Sequence, residues 1–315
     1  MNEFLTVLGA VLPVFGVAAV GLVIRKLNWL TEEADQSLLR VSVNLLLPCL
    51  ILDSTLGNPA LARIENLVLA PLFGYGTVAV GILLALGLRT FAGLKERSAA
   101  RTFAVCVGIY NYGYIPLPLA LLLFDKATAG VLFLLMTGVE TALWTLGVWT
   151  LTGGSPGQNW RRILNAPLLA IGLALGINVL GLNAHLPAPL LTGIHWLGQC
   201  AIPMALMLIG AIVADHLHEF HSHAGWRVIG VAVLLRQVAL PIGFLLVAKY
   251  LPASVELKRV IVLEAAMPAA VFPIVMARHY QGDPATAMRV VIGTSVVGLV
   301  TIPIWIRLGM HYVGL

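Results

Sequence analysis

The chain has little charge. Of its 315 residues 19 are Lys or Arg and 14 are Asp or Glu, 10% together, against roughly a quarter in ordinary soluble domains. So sparse a charge set excludes soluble enzymes and nucleic-acid-binding domains, and the formal charge of +5 is expected on loops facing one side of a membrane. No nucleic-acid partner is expected. Cysteine is also scarce: Cys49, Cys106 and Cys200 all lie in apolar runs, with no spacing for a disulfide framework or a metal site, and are expected to be small buried hydrophobes. No cleavable leader is expected either. Met1 to Phe4 carry Glu3 and no basic residue, and the first apolar run ends in Arg25 and Lys26 without a small-residue cleavage site, so a retained first helix is expected.

What the chain has is apolar length. Hydrophobic residues make up 59% and the mean hydropathy is +0.95. The excess recurs in runs of about 20 residues, the length at which a helix crosses a bilayer. Hydropathy gives ten spans, at 5–24, 38–56, 67–88, 102–124, 128–151, 164–182, 190–214, 228–250, 260–277 and 285–306. The fold class expected is an all-α polytopic membrane protein with short loops. With the N-terminus outside, twelve Lys or Arg residues near span ends fall on the cytoplasmic side, Arg89, Lys95, Arg97 and Arg101 among them, and six on the other. Basic residues resist translocation, so both termini are expected on the non-cytoplasmic side, in a bacterial inner membrane.

The first five spans repeat in the last five. Asn44-Leu-Leu-Leu-Pro48 matches Gln199-Cys-Ala-Ile-Pro203 at an offset of 155. Asn111-Tyr-Gly-Tyr-Ile-Pro116 matches Pro268-Ala-Ala-Val-Phe-Pro273 at an offset of 157. Asp125-Lys-Ala-Thr-Ala129 matches Asp283-Pro-Ala-Thr-Ala287 at an offset of 158. A five-span unit is odd, so its second copy enters the membrane inverted, as in many secondary transporters. The expected units are 1–152 and 164–315, joined by a cytoplasmic linker at 153–163.

Spans 4 and 9 break the helix rule hardest, with Gly113, Pro116 and Pro118 in one and Pro268 and Pro273 in the other. Proline removes a helix hydrogen bond, and in lipid the freed carbonyls need partners within the protein or trapped water. Two breaks at equivalent places predict two unwound segments meeting near the midplane. Half-helix N-termini there would offer N–H groups to an anion, and freed carbonyls could hold a cation.

The opening Leu12-Pro13-Val14-Phe15, the segments 44–48 and 111–116, and above all Glu264-Ala-Ala-Met-Pro-Ala-Ala-Val with Tyr280-Gln-Gly-Asp283 resemble the auxin efflux carrier family over essentially the whole chain. That family includes plant auxin carriers and bacterial permeases linked to malate or malonate. The resemblance implies ten helices in the fold of bile acid symporters and sodium/proton antiporters, with helices 4 and 9 crossing. It also implies alternating access and, often, a homodimer. Asn111 and Pro116 fit the first crossover segment; in the second, Val271 and Phe272 stand where many relatives carry an asparagine.

Among polar residues in spans, Glu140 is a candidate for proton or cation coupling, with a protonated acid bonded to a neighbouring helix as the other reading. Its counterpart at an offset of 158 is Gly298. Glu264, one turn before Pro268, could steady the broken helix or face the site. Arg236 could pair with Glu264, Glu140 or a substrate carboxylate through its fork of donors. Asn44 and Gln199, each a turn before a proline, either line the site or bond between helices. Tyr112, Tyr114 and Phe272 would tolerate an apolar remainder of a substrate. Asp53 is expected at an interface, and His216, His218, His221 and His223 in a solvated loop.

The expected substrate-binding set is thus Asn44, Asn111, Tyr112, Pro116, Gln199, Arg236, Pro268, Phe272 and Pro273, with Glu140 and Glu264 coupling. No cofactor is expected beyond H+ or Na+ as a coupling ion. The function expected is secondary transport of a small organic anion; the alternatives are an uncoupled uniporter or channel-like permease, and a sodium-coupled symporter. An intramembrane enzyme would need reactive clusters such as His-Glu-x-x-His, which do not occur.

Overall fold

A computed structural model describes residues 2–154, 164–216 and 225–315. Twelve helices run in the order α1 (Asn2–Lys26), α2 (Glu32–Thr55), α3 (Ile64–Leu88), α4 (Arg97–Gly108), α5 (Pro116–Leu123), α6 (Lys126–Thr152), α7 (Ala166–Val179), α8 (Ala188–His216), α9 (Trp226–Tyr250), α10 (Val255–Ala265), α11 (Phe272–His279) and α12 (Pro284–Val313). Among the described residues there is no strand, and seven helices are long and apolar enough to cross a membrane. The apolar stretches at 102–124 and 260–277 are each split into two short helices, and the stretch at 164–182 yields the 14-residue α7.

The protein is an integral membrane protein. Large apolar side chains such as Leu12, Leu72, Leu83 and Val300 stand more than half exposed along these helices, where a water-soluble surface would keep such patches small. The most enclosed layer is internal: residues 128–136 of α6 and 260–270 across the end of α10 are buried almost without interruption.

Three helices contain one π turn each, at Ser42–Leu46 in α2, Leu143–Gly147 in α6 and Leu235–Ala239 in α9. Two of these lie just before a proline, Pro48 and Pro241. A proline cannot donate to the carbonyl four residues back, and the widened turn absorbs the mismatch. Close helix contacts rest on glycine: a Cβ at Gly138 of α6 would collide with the carbonyl of Pro71 in α3, and one at Gly210 of α8 with that of Ala18 in α1.

Capping follows the sequence. Asp125 accepts from the Thr128 amide at 2.7 Å and Asn165 from the Leu168 amide at 3.0 Å, at the starts of α6 and α7. Cys49 and Cys106 are buried as expected, whereas Cys200 is exposed, because it lies on an outward face of α8. His218, His221, His223 and most of the linker at 153–163 lie outside the described residues.

Candidate functional site

The two interrupted helices meet at their breaks. After Gly108 the chain leaves the helix, and Ile109 is extended at φ −95 and ψ 106; the chain likewise leaves α10 after Ala265. The two connecting segments run antiparallel, with the Asn111 amide donating to the Pro268 carbonyl at 2.8 Å and the Ala270 amide to the Ile109 carbonyl at 3.0 Å. Tyr110 and Ala269 form the bridge between them.

The remaining freed groups find partners in side chains, as an apolar surrounding demands. Asn111, buried, accepts the Ile115 amide on its Oδ1 at 3.1 Å. Thr294 of α12 accepts the Ala269 amide on its Oγ1 at 3.1 Å. Arg236, fully buried in the π turn of α9, donates from Nε to the Met267 carbonyl at 2.8 Å and from Nη2 to the Glu264 carbonyl at 3.0 Å. Its guanidinium carbon lies 4.4 Å from the centre of the Tyr110 ring and 5.3 Å from that of Phe244, two cation–π contacts. Tyr110 in turn shares a 2.9 Å hydrogen bond with Thr77.

A cavity of about 90 Å³ adjoins the crossing, room for several waters or a small solute. Its wall includes Ser42 of α2, Asn111, Tyr112, Tyr114, Glu140, Val271 and Phe272. Glu140 accepts from the Tyr112 hydroxyl at 2.9 Å on one oxygen and from the Asn165 amide nitrogen at 2.9 Å on the other. Phe272 meets Trp144 edge to face, 5.8 Å between centres at 71°. The starts of both second half-helices, near Leu117 and Phe272, form part of the wall, so their positive dipole ends border the cavity. A second, apolar cavity of about 290 Å³ between α1, α8 and α12 also has Asn111 and Val271 in its wall.

Seven of the sequence candidates gather here. Asn111, Tyr112, Glu140 and Phe272 line the first cavity. Pro268 supplies the carbonyl of the crossing. Pro116 and Pro273 sit in the first turns of α5 and α11, where a missing N–H costs nothing.

Four others lie outside the wall of the first cavity. Asn44 is exposed and donates back to the Arg40 carbonyl at 2.9 Å, consuming a carbonyl of its own helix. Gln199 is exposed and bonds His195 at 2.9 Å, which reaches Asp53 at 3.2 Å. Lys126 pairs with the same Asp53 oxygen at 3.0 Å. Arg236 lies outside the wall of the first cavity, and its described bonds go to main-chain carbonyls rather than to a carboxylate. Glu264 is fully buried beneath the break, outside the cavity wall, with neither carboxylate oxygen hydrogen-bonded among the described residues.

Sequence reasoning missed Asn165, Thr294 and Gln237. Gln237 is buried, donates to the Thr294 carbonyl at 3.3 Å and accepts from Thr301 at 2.7 Å. It stands four residues before Pro241, the spacing already noticed at Asn44 and Gln199. That signal was in the sequence.

Comparison with known proteins agrees with this architecture. The family described as membrane transport protein matches residues 6–158 and 155–306. An uncharacterized transporter of Methanothermobacter thermautotrophicus is 25% identical over 301 residues, 94% of this chain and 96% of that protein. A chain of apolar helices, two of them interrupted and joined beside a small cavity, that this family matches nearly end to end belongs to the membrane transport proteins of the auxin efflux carrier family.

Proposed function

We propose that the protein is a secondary active transporter carrying a small organic anion, a carboxylate of the malate, malonate or auxin-like kind, by alternating access. The substrate sits at the crossing. One observation carries this reading: two short helices begin at the same cavity, and their ends offer positive dipole potential to a carboxylate. Phe272 and the other apolar wall residues suit the rest of such a molecule. In this reading the chain makes ten crossings as two inverted five-helix repeats, 1–152 and 164–315, with 153–163 in the cytoplasm. Both termini then lie outside a bacterial inner membrane, and the protein pairs as a homodimer.

Glu140 supports proton coupling. It is the charged residue of the cavity wall, and a carboxylate beside a substrate carboxylate in one small apolar space is unfavourable unless one of the two is protonated. Anion and proton therefore move together. Sodium coupling through the carbonyls at the end of α10 is disfavoured, because Arg236 already donates to two of them.

The test is uptake of labelled malate, malonate and an indole carboxylate into proteoliposomes, with and without sodium and with an imposed pH gradient. Saturable uptake of at least one carboxylate, driven by inward protons and indifferent to sodium, is expected; Glu140→Gln should abolish the response to the gradient. Transport of cations or neutral solutes but of no carboxylate would overturn the anion reading. Carboxylate uptake blind to the gradient would make the protein a uniporter.

A further inference from the structure

Away from the crossing, the loop between α3 and α4 and the end of α6 enclose a second polar site. A depression of about 530 Å³ is walled by Arg89, Lys95, Arg97 and Arg101, together with Trp149 and the main chain at Gly153 and Gly154. None of these four cations forms an ion pair among the described residues. The acid of the loop, Glu96, is exposed and outside the wall. Arg227 of α9 packs with its Cδ 3.6 Å from where a Cβ on Gly93 would stand.

The arrangement is built rather than incidental. Gly153, at φ +76, lies so close to the Arg101 guanidinium that any side chain there would collide with it. Arg101 is half-buried in the wall of the depression, and the other three cations are exposed. Like charges gathered without an acid repel one another, and a bound anion relieves that repulsion. Three arginines present planar forks of donors, which fit the oxygens of a phosphate two at a time. The depression lies at the ends of two long apolar helices, α3 and α6, and two exposed aromatics flank it, Phe91 at 70% and Trp149 at 58%. Aromatic rings beside basic residues at a helix end mark the headgroup level of a bilayer.

We propose that this depression binds the phosphate of an anionic phospholipid, an interaction independent of what crosses the membrane at the helix crossing. The experiment compares thermal unfolding of the purified protein in neutral detergent on adding phosphatidylglycerol, phosphatidylcholine or inorganic phosphate. The lipid arms are repeated by native mass spectrometry. Phosphatidylglycerol should raise Tm above phosphatidylcholine and survive as a bound adduct. The triple substitution Arg89→Gln, Lys95→Gln and Arg97→Gln, at exposed positions, should remove that difference while leaving Tm in phosphatidylcholine unchanged. Should the triple variant not fold, Lys95→Gln with Arg97→Gln is expected to reduce the difference. Equal response to both lipids, or a phosphatidylglycerol response that persists in the variants, would overturn the site. A shift with inorganic phosphate as large as that with phosphatidylglycerol would overturn the lipid source and identify a soluble phosphate instead.

Discussion

Arg236 donates to the main-chain carbonyl of Glu264 at 3.0 Å, while the carboxylate of the same fully buried residue accepts no hydrogen bond among the described residues. The guanidinium takes the place of the turn that α10 would have had if it continued past Ala265. It satisfies two carbonyls and balances the buried acid through space rather than by contact.

Removing the arginine therefore exposes three liabilities at once. Arg236→Met should cost about 2–6 kcal/mol, about 1–3 for each of the two buried carbonyls left without a donor. Arg236→Met combined with Glu264→Gln should cost less than the sum of the two. Unfolding in detergent followed by circular dichroism measures both, and an unchanged midpoint in Arg236→Met would refute the capping role.

Thr294 holds the second crossover strand through the Ala269 amide. Thr294→Val keeps the shape and leaves that buried N–H without its acceptor, at a cost of about 1–3 kcal/mol. Thr294→Ser should restore stability. Uptake in proteoliposomes should fall in the valine variant, because the strand that borders both cavities loses its anchor.

The contact between α1 and α8 depends on Gly210, whose Cα lies against the Ala18 carbonyl. Gly210→Ala should cost about 1–3 kcal/mol by overpacking. Gly9→Ala, at a position with nothing within 4 Å, should be neutral or slightly stabilising. Paired thermal unfolding of the two variants separates packing from helix propensity.

Asp125 sits outside the spans, at the start of α6. Partial burial pushes its carboxyl upward, but the Thr128 amide and the Arg259 guanidinium outweigh that and hold it below the ordinary aspartate value. A depressed carboxyl contributes stability above its unfolded value, and the contribution is lost as pH falls through the folded value. Asp125→Asn should therefore lower stability at neutral pH, where the contribution is present, leave it little changed in acid, and so flatten the acid side of a stability–pH profile.

The breaks were legible because proline and glycine act on the backbone directly. Gly113, Pro116, Pro268 and Pro273 needed no knowledge of partners to mark where helix hydrogen bonds fail. Asn111 was legible by its place inside the break. Arg236 stood out as a charge deep in a span, but its partners are main-chain oxygens, which no residue identity announces. Thr294 and Asn165 were silent for a related reason: threonine and asparagine are common in spans, and only the fold shows which neighbour each reaches. At Asn44 and Gln199 a correct local observation, an amide one turn before a proline, was given a site role, whereas Asn44 bonds its own helix and Gln199 bonds His195. Gln237 is the amide at that spacing which turns inward.

The crossing itself is tied by two main-chain hydrogen bonds, Asn111 to Pro268 and Ala270 to Ile109. Bonds of that kind survive a change of side chain on either strand. Substitutions at Tyr112, Val271 or Phe272 can therefore reshape the cavity while the two main-chain bonds that tie the segments together stay in place.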